Sequence, residues 1–345
     1  MKSLAVKYRP QTFAEICGQS ITTRILTKVL EKQSFKNAYL FAGPSGCGKT
    51  TLSRCFAKAI NGGCGEPIEI DAASGAGGVE QVRAIIESAN QRSLVGNYKI
   101  YIIDECHAIT SAGWQAMLKG IEETPEYTIF MFCTTEPNKI PVTIQNRMQR
   151  FNIAKISAQE IKNRLIYVCQ QEGFINYEDT CELISKLCDG CMREALTILD
   201  QCADLSNDLS LENTKAVLGE APFERMLKLT NCLIGRNEQF TIGAIETLAQ
   251  EGKDLKQFVN EYLSFILELT KYVLFQNISA TNIPAYLENS ADPMVNVRST
   301  TSFDNSLGWF NNLANKLLEV KNAIKYDTSV KAVVEAYMLQ ICRAV

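Results

Sequence analysis

Residues Gly43-Pro44-Ser45-Gly46-Cys47-Gly48-Lys49-Thr50 match the phosphate-binding loop pattern in full. They stand between an apolar run, 38–42, and a segment from Thr51 to Ile60 whose apolar residues recur at helical spacing. Strand, loop and helix in that order are the building unit of a parallel α/β sheet. Gly43, Gly46 and Gly48 let the backbone turn tightly enough to aim its N–H groups at phosphate oxygens, and the next helix adds its positive N-terminal end. Lys49 is placed to reach the terminal phosphates, and the Thr50 hydroxyl to bind Mg²⁺. Pro44, Ser45, Cys47 and Thr51 complete the expected contact with a nucleoside triphosphate, taken to be ATP.

A second segment, Lys99-Ile100-Tyr101-Ile102-Ile103-Asp104-Glu105, is an apolar run ending in two carboxylates, the pattern of a buried central strand. Ligands of open α/β sheets bind at the C-terminal strand edge. Asp104 there would hold Mg²⁺, directly or through water, and Glu105 would orient and polarise an attacking water. Alone, an apolar strand followed by Asp-Glu is common; behind a phosphate-binding loop it points to hydrolysis.

With 345 residues, 46% of them hydrophobic and 21% charged, the chain is long enough for two or three domains with a substantial core. No apolar run approaches the roughly 18 residues that span a membrane, and the first ten residues lack a signal-peptide apolar segment, so no membrane partner is expected and a cytoplasmic location is. Thirteen scattered cysteines, an odd number, read as small apolar residues in a reducing compartment. Cys188 and Cys191 form a single Cys-x-x-Cys with no second pair at metal-ligand spacing, which favours helix packing over a zinc or redox site. A net charge of −3 excludes a uniformly basic nucleic-acid binder but not a local basic lining.

Apolar runs at 38–42, 67–70, 99–104, 128–133 and 150–153 read as strands, with helices at 49–60, 79–92 and 111–123 between them. Beyond Ser157 the pattern turns helical, starting from a Ser-Ala-Gln-Glu capping box. Breaks at 204–210 and 219–222 then divide the chain into an α/β P-loop domain over 1–155, a helical lid over 156–218 and an all-α domain over 219–345.

At this point the chain resembles the AAA+ clamp-loader ATPases, over roughly residues 4 to 202. Leu4-Ala-Val-Lys-Tyr-Arg-Pro-Gln-Thr-Phe-Ala-Glu-Ile-Cys-Gly-Gln19 is similar to the family's opening signature, which implies that Tyr8, Arg9 and Pro10 wrap the adenine and ribose. Thr134-Thr135-Glu136-Pro137 resembles the sensor-1 segment, with Thr135 as the sensor hydroxyl. Arg147, in Ile144-Gln-Asn-Arg-Met, occupies the place of the family's arginine finger, which acts on ATP held by a neighbouring subunit; the flanking residues differ from the family's. Without the resemblance, Arg147 reads equally well as a surface arginine at a helix end. Gly190 to Gln201 resembles the sensor-2 helix, implying that Arg193 reaches the phosphates from the lid.

The resemblance further implies ATP and Mg²⁺ as cofactors, and other loader subunits in a heteropentameric assembly, a sliding clamp and primer-template DNA as partners. It also implies a collar role for 219–345. The chain departs from the motor-type members in three ways. Between Ile60 and Ile68 the four-cysteine zinc insertion is reduced to Cys64, so no zinc is expected and a reduced, viral version is favoured over the usual cellular form, with bacterial or phage-infected host cytoplasm as the location and phage or host origin left open. The turn at 73–78 lacks basic residues, leaving Arg83 as the nearest cation. The sequence stops at Val345, as in the family's short form without the long extension. His107 receives a packing or helix-start role, and Trp114, Gln115 and Lys119 stay open between a DNA-facing role and none. Two rivals are a ring translocase such as a branch-migration motor, which would end in a winged helix, and a non-catalytic scaffold. The helical 223–345 argues against the first, and intact Lys49, Asp104 and Glu105 against the second.

Overall fold

The computed structural model describes residues 3–93, 95–218, 222–252, 254–275, 303–325, 327 and 329–344. They divide into two compact units, 1–217 and 218–345. The first holds a five-stranded, fully parallel sheet. In chain order its elements are α1 (Leu4–Lys7), α2 (Ser20–Glu31), β1 (Ala38–Ala42), α3 (Lys49–Ile60), β2 (Ile68–Asp71), α4 (Val79–Ala89), β3 (Lys99–Asp104), α5 (Ser111–Glu122), β4 (Thr128–Thr134), α6 (Val142–Gln145) and β5 (Gln149–Asn152). The strands lie in the order β2-β3-β4-β1-β5.

Alternation along each strand sends neighbouring side chains to opposite faces. From β1, Tyr39 and Phe41 pack with Leu52 and Phe56 of α3 and Leu26 of α2. Leu40 points the other way, into a core with Val82 of α4 and Trp114 and Met117 of α5. Strand β4 divides likewise, Met131 and Cys133 to the first face, Phe130 and Phe132 to the second. Both faces are covered, which is why β1 and the middle of β4, residues 129–133, are apolar and both strands are buried throughout. The edge strands β2 and β5 are more exposed and more polar. Trp114, left open by its sequence, is a core residue against Phe132, ring centroids 5.7 Å apart.

Strand and helix expectations hold to within a few residues. Helix α4 ends at Ala89, with Asn90 as its C-cap, short of the expected 92. Helix α2, whose buried residues are Thr22 and Leu26, had no counterpart in the sequence reading.

Four helices follow in the same unit: α7 (Ala158–Glu172), α8 (Glu178–Leu187), α9 (Met192–Leu205) and α10 (Leu211–Leu218). The capping box at the start of α7 is formed, Ser157 Oγ accepting from the Glu160 N–H and the Glu160 carboxylate accepting from the Ser157 N–H. Ile161, Leu165, Val168, Ile184 and Leu199 make a separate small core, which Leu4 of α1 joins.

The second unit is helical throughout its described residues: α11 (Pro222–Ile234), α12 (Glu238–Gln250), α13 (Leu255–Phe275), and two further helices, Phe303–Ala323 and Val330–Ala344. Leu229, Ile245, Tyr262, Ile266, Phe310, Leu317 and Met338 share one core. The buried Tyr262 hydroxyl is satisfied by Thr230 Oγ1 at 2.9 Å. Of the break read at 219–222, only Pro222 lies within the described residues. Among the described residues no helix is long and apolar enough to cross a membrane.

Candidate nucleotide-binding site

Parallel strands in register bring their carboxyl ends to one edge: Ala42 lies opposite both Thr134 and Asn152, and Asp71 opposite Asp104. The loops after β1, β3 and β4 therefore open side by side. The loop after β1 carries Gly46 at φ 69° and Gly48 at φ 95°, Gly48 being the N-cap of α3. Close approach also requires two glycines: a Cβ on Gly43 would run into the Ile153 carbonyl, and one on Gly46 into the Cys191 thiol at the start of α9.

A cavity of about 370 Å³ opens over this loop. Its floor is Ser45 to Thr51, with Asp104 and Glu105 at one side. Tyr8, Arg9 and Pro10 form one wall, and Met192, Arg193 and Leu196 of α9 another. Gly43, Pro44, Thr135 and Arg147 are not among its lining residues. Pro44 nonetheless acts on it, because its carbonyl accepts a hydrogen bond from Lys49 Nζ at 2.9 Å and Lys49 is buried.

Thr50 Oγ1 donates to Asp104 Oδ2 at 2.7 Å, and Asp104 Oδ1 accepts from the Glu105 N–H at 3.0 Å. A hydroxyl and a carboxylate at the foot of a phosphate-binding loop are hard oxygen donors, the ligand type that suits Mg²⁺. Among the described residues there is no cluster of three or more His, Cys, Asp or Glu side chains that could hold a metal by themselves. The donor set thus fits an ion that takes a few protein ligands and completes its shell with phosphate and water. Glu105 sits in the left-handed region at φ 45°, a conformation that non-glycine residues rarely adopt and that recurs at functional turns. The Thr135 hydroxyl lies 3.4 Å from Glu105 Oε2, so the candidate sensor stands beside the candidate water-polarising group.

Cys47 is buried in the loop, and burial first, then the Cys191 thiol, push its thiol up from its ordinary pKa. It stays a neutral, small residue where a thiolate would repel phosphate. Tyr8 is tied down by its hydroxyl, which donates to Glu172, and by its carbonyl, which accepts from Arg164 Nη2 at 2.9 Å. Burial, then the Glu172 carboxylate, push the Tyr8 hydroxyl up to about 12, keeping it a donor. Arg164 itself lines the cavity and was missed by sequence reasoning. It is half-buried on α7 beside the buried Leu165, and nothing in its local pattern marks it; only the fold brings it to Tyr8.

Arg147 follows α6 on an exposed surface, where Nε meets Glu122 Oε1 at 2.5 Å and Nη1 donates to the Thr143 carbonyl at 2.8 Å. Gln115 and Lys119 line a different groove, between α4 and α5, together with Arg83.

Gly46→Ala is expected to weaken nucleotide binding, since the added methyl meets both positive φ and the Cys191 thiol, costing roughly 1–3 kcal/mol. Titration with a fluorescent ATP analogue checks this, and wild-type affinity would contradict it.

A family model described as DNA polymerase III, delta subunit, matches residues 68–157. DNA polymerase III subunit tau of Bacillus subtilis is 34% identical over 287 residues, covering 77% of this chain and 51% of that protein. The corresponding Escherichia coli subunit is 30% identical over 285 residues, 76% of this chain and 44% of its own length. The chain thus spans about half the length of the curated relatives it matches. Among solved structures, the Holliday junction branch migration motor RuvB of Thermotoga maritima superposes with a TM-score of 0.53 at 17% identity, covering 76% of this chain and 91% of that one, which shows a shared fold. Over some three quarters of its length, the chain is a homologue of the gamma/tau subunits of DNA polymerase III.

Proposed function

We propose that the chain is an ATP-hydrolysing motor subunit of a DNA polymerase sliding-clamp loader. The observation that carries this is the convergence, around one cavity, of the phosphate-binding loop, Asp104, Glu105, Tyr8 to Pro10 and Arg193, in a chain homologous to gamma/tau subunits. ATP is held by Ser45 to Thr51, with Gly43 and Pro44 shaping the loop, and its base and sugar lie against Tyr8, Arg9 and Pro10. Lys49 leaves the Pro44 carbonyl for the terminal phosphates, replacing a neutral acceptor with charged oxygens. Thr50 and Asp104 hold Mg²⁺, which when bound neutralises charge on the transferred phosphoryl group. Glu105 orients the water, Thr135 steadies it, and Arg193 reports phosphate state to the lid. Arg147 acts on the ATP of a neighbouring subunit.

The partners in this reading are the other loader subunits, the clamp and primer-template DNA. Its support against a translocase is the second unit, whose described residues form helices around one core with no strand among them. The test is ATP hydrolysis by the reconstituted loader with and without primer-template DNA and clamp. Joint stimulation is expected; turnover indifferent to the clamp would overturn the reading.

A further inference from the structure

His107 lies in the turn after β3, largely shielded from solvent, with its ring between two carboxylates. Nδ1 is 3.3 Å from Glu105 Oε2 and 3.2 Å from the Thr134 hydroxyl, while Nε2 is 3.4 Å from Glu136 Oε1. Thr134 Oγ1 also accepts the Glu136 N–H at 2.9 Å, and the Thr135 hydroxyl lies 3.4 Å from the same Glu105 Oε2. One oxygen of Glu105 is thus approached from two sides: the Thr135 hydroxyl donates to it from just past the end of β4, and His107 Nδ1, hydrogen-bonded to Thr134 Oγ1, lies within ion-pair distance of it. A carboxylate offers only acceptors, so each ring contact with one requires an N–H; a neutral imidazole supplies one and an imidazolium both. The Nδ1 contact is the one that reaches the site.

We propose that His107 is a positioning residue for Glu105, fixing the plane of its carboxylate from the sensor-1 side. This rests on the reading of Glu105 as the group that polarises water. The terminal torsion of a glutamate is broad, and Glu105 is partly exposed, so without a partner its carboxylate turns freely. Holding Oε2 between His107 and Thr135 leaves the other oxygen for the water in one orientation, the kind of preorganisation on which hydrolysis rates depend. The contact of Nε2 with Glu136, itself paired with Lys139 at 2.9 Å, sets the ring's own orientation.

The test compares His107→Ala, His107→Asn and His107→Gln with Glu105→Gln in the full chain reconstituted with its partner subunits, reading single-turnover ATP hydrolysis and ATP affinity separately. Asparagine places its amide near the Nδ1 position and glutamine near Nε2. Alanine is expected to lower kcat by about 10- to 100-fold with KM for ATP unchanged. Asparagine is expected to recover most of that loss and glutamine little. Wild-type kcat in His107→Ala, a joint change in kcat and KM, or equal recovery by asparagine and glutamine would each overturn the proposal. If Glu105→Gln is inactive while His107→Ala is fully active, this inference alone falls. If Glu105→Gln hydrolyses ATP like wild type, the reading of Glu105 falls with it.

Discussion

In the assembled complex, Arg147→Ala is expected to cut ATP turnover by about 10³-fold or more, while ATP binding and the slow turnover of the lone chain stay unchanged. Arg147 is exposed and is not among the residues that line the cavity of its own chain. A guanidinium outside its own site can stabilise transition-state charge only in a neighbour's. Its present partner does not hold it back, because the ion pair with Glu122 is between two solvent-exposed side chains, and such pairs contribute about 0–1 kcal/mol. Arg147→Lys should recover little, since an ammonium lacks the planar fork that meets two phosphate oxygens at once. Turnover assays on assembled and isolated chains separate the cases. Equal rates for wild type and Arg147→Ala in the complex would remove Arg147 from the proposed machinery.

Glu105→Gln is expected to lower hydrolysis by about 10²–10⁴-fold and to leave nucleotide affinity intact, so that the variant accumulates in the ATP-bound form. The substitution is well suited to the test because the backbone at Glu105 is already in the left-handed region, and glutamine meets the same constraint there. The amide keeps the shape and can still meet Thr135, but it cannot take a proton or polarise water as a carboxylate does. Asp104→Asn should behave differently, weakening metal-dependent binding as well as turnover, because Asp104 bonds Thr50 at the foot of the loop. Quench-flow hydrolysis with parallel binding titrations distinguishes the two carboxylates. A Glu105→Gln chain that turns over like wild type would exclude Glu105 as the group acting on water.

The parts of this fold that could be read from sequence are those dictated locally. The loop at 43–50 needs its glycines, the central strands need unbroken apolar runs because both sheet faces are covered, and Ser157 caps α7 through a contact three residues away. What escaped depends on contacts between distant segments. Helix α2 buries only a narrow stripe at Thr22 and Leu26 and leaves Ile21 and Ile25 exposed, so its apolar pattern does not mark the face that packs. Arg164 enters the cavity wall through the carbonyl of Tyr8, a partner more than 150 positions away. His107 read as packing because the carboxylate that defines its surroundings, Glu136, comes from the end of another strand. The resemblance supplied Tyr8, Arg9, Pro10 and Arg193, none of which any periodicity would have singled out.

The wall formed by Tyr8, Arg9 and Pro10 is fastened to the lid helices through several bonds. Leu4 sits in the lid core, its N–H donates to Asp200 at 3.2 Å, Lys7 meets Glu172 at 2.6 Å, and Tyr8 is held by both Glu172 and Arg164. The strap and the helices α7 and α9 are therefore joined into one connected body beside the loop after β1. A ligand gripped at its phosphate end by that loop and at its base end by the strap would act as a strut between them, and shortening it by one phosphate would change the load that the strap passes to α7 and α9. The strap is fixed to both α7 and α9, so removing its carboxylate contacts by Glu172→Ala, with the Arg164 bond to Tyr8 left in place, should slacken that transmission without touching any atom that grips phosphate.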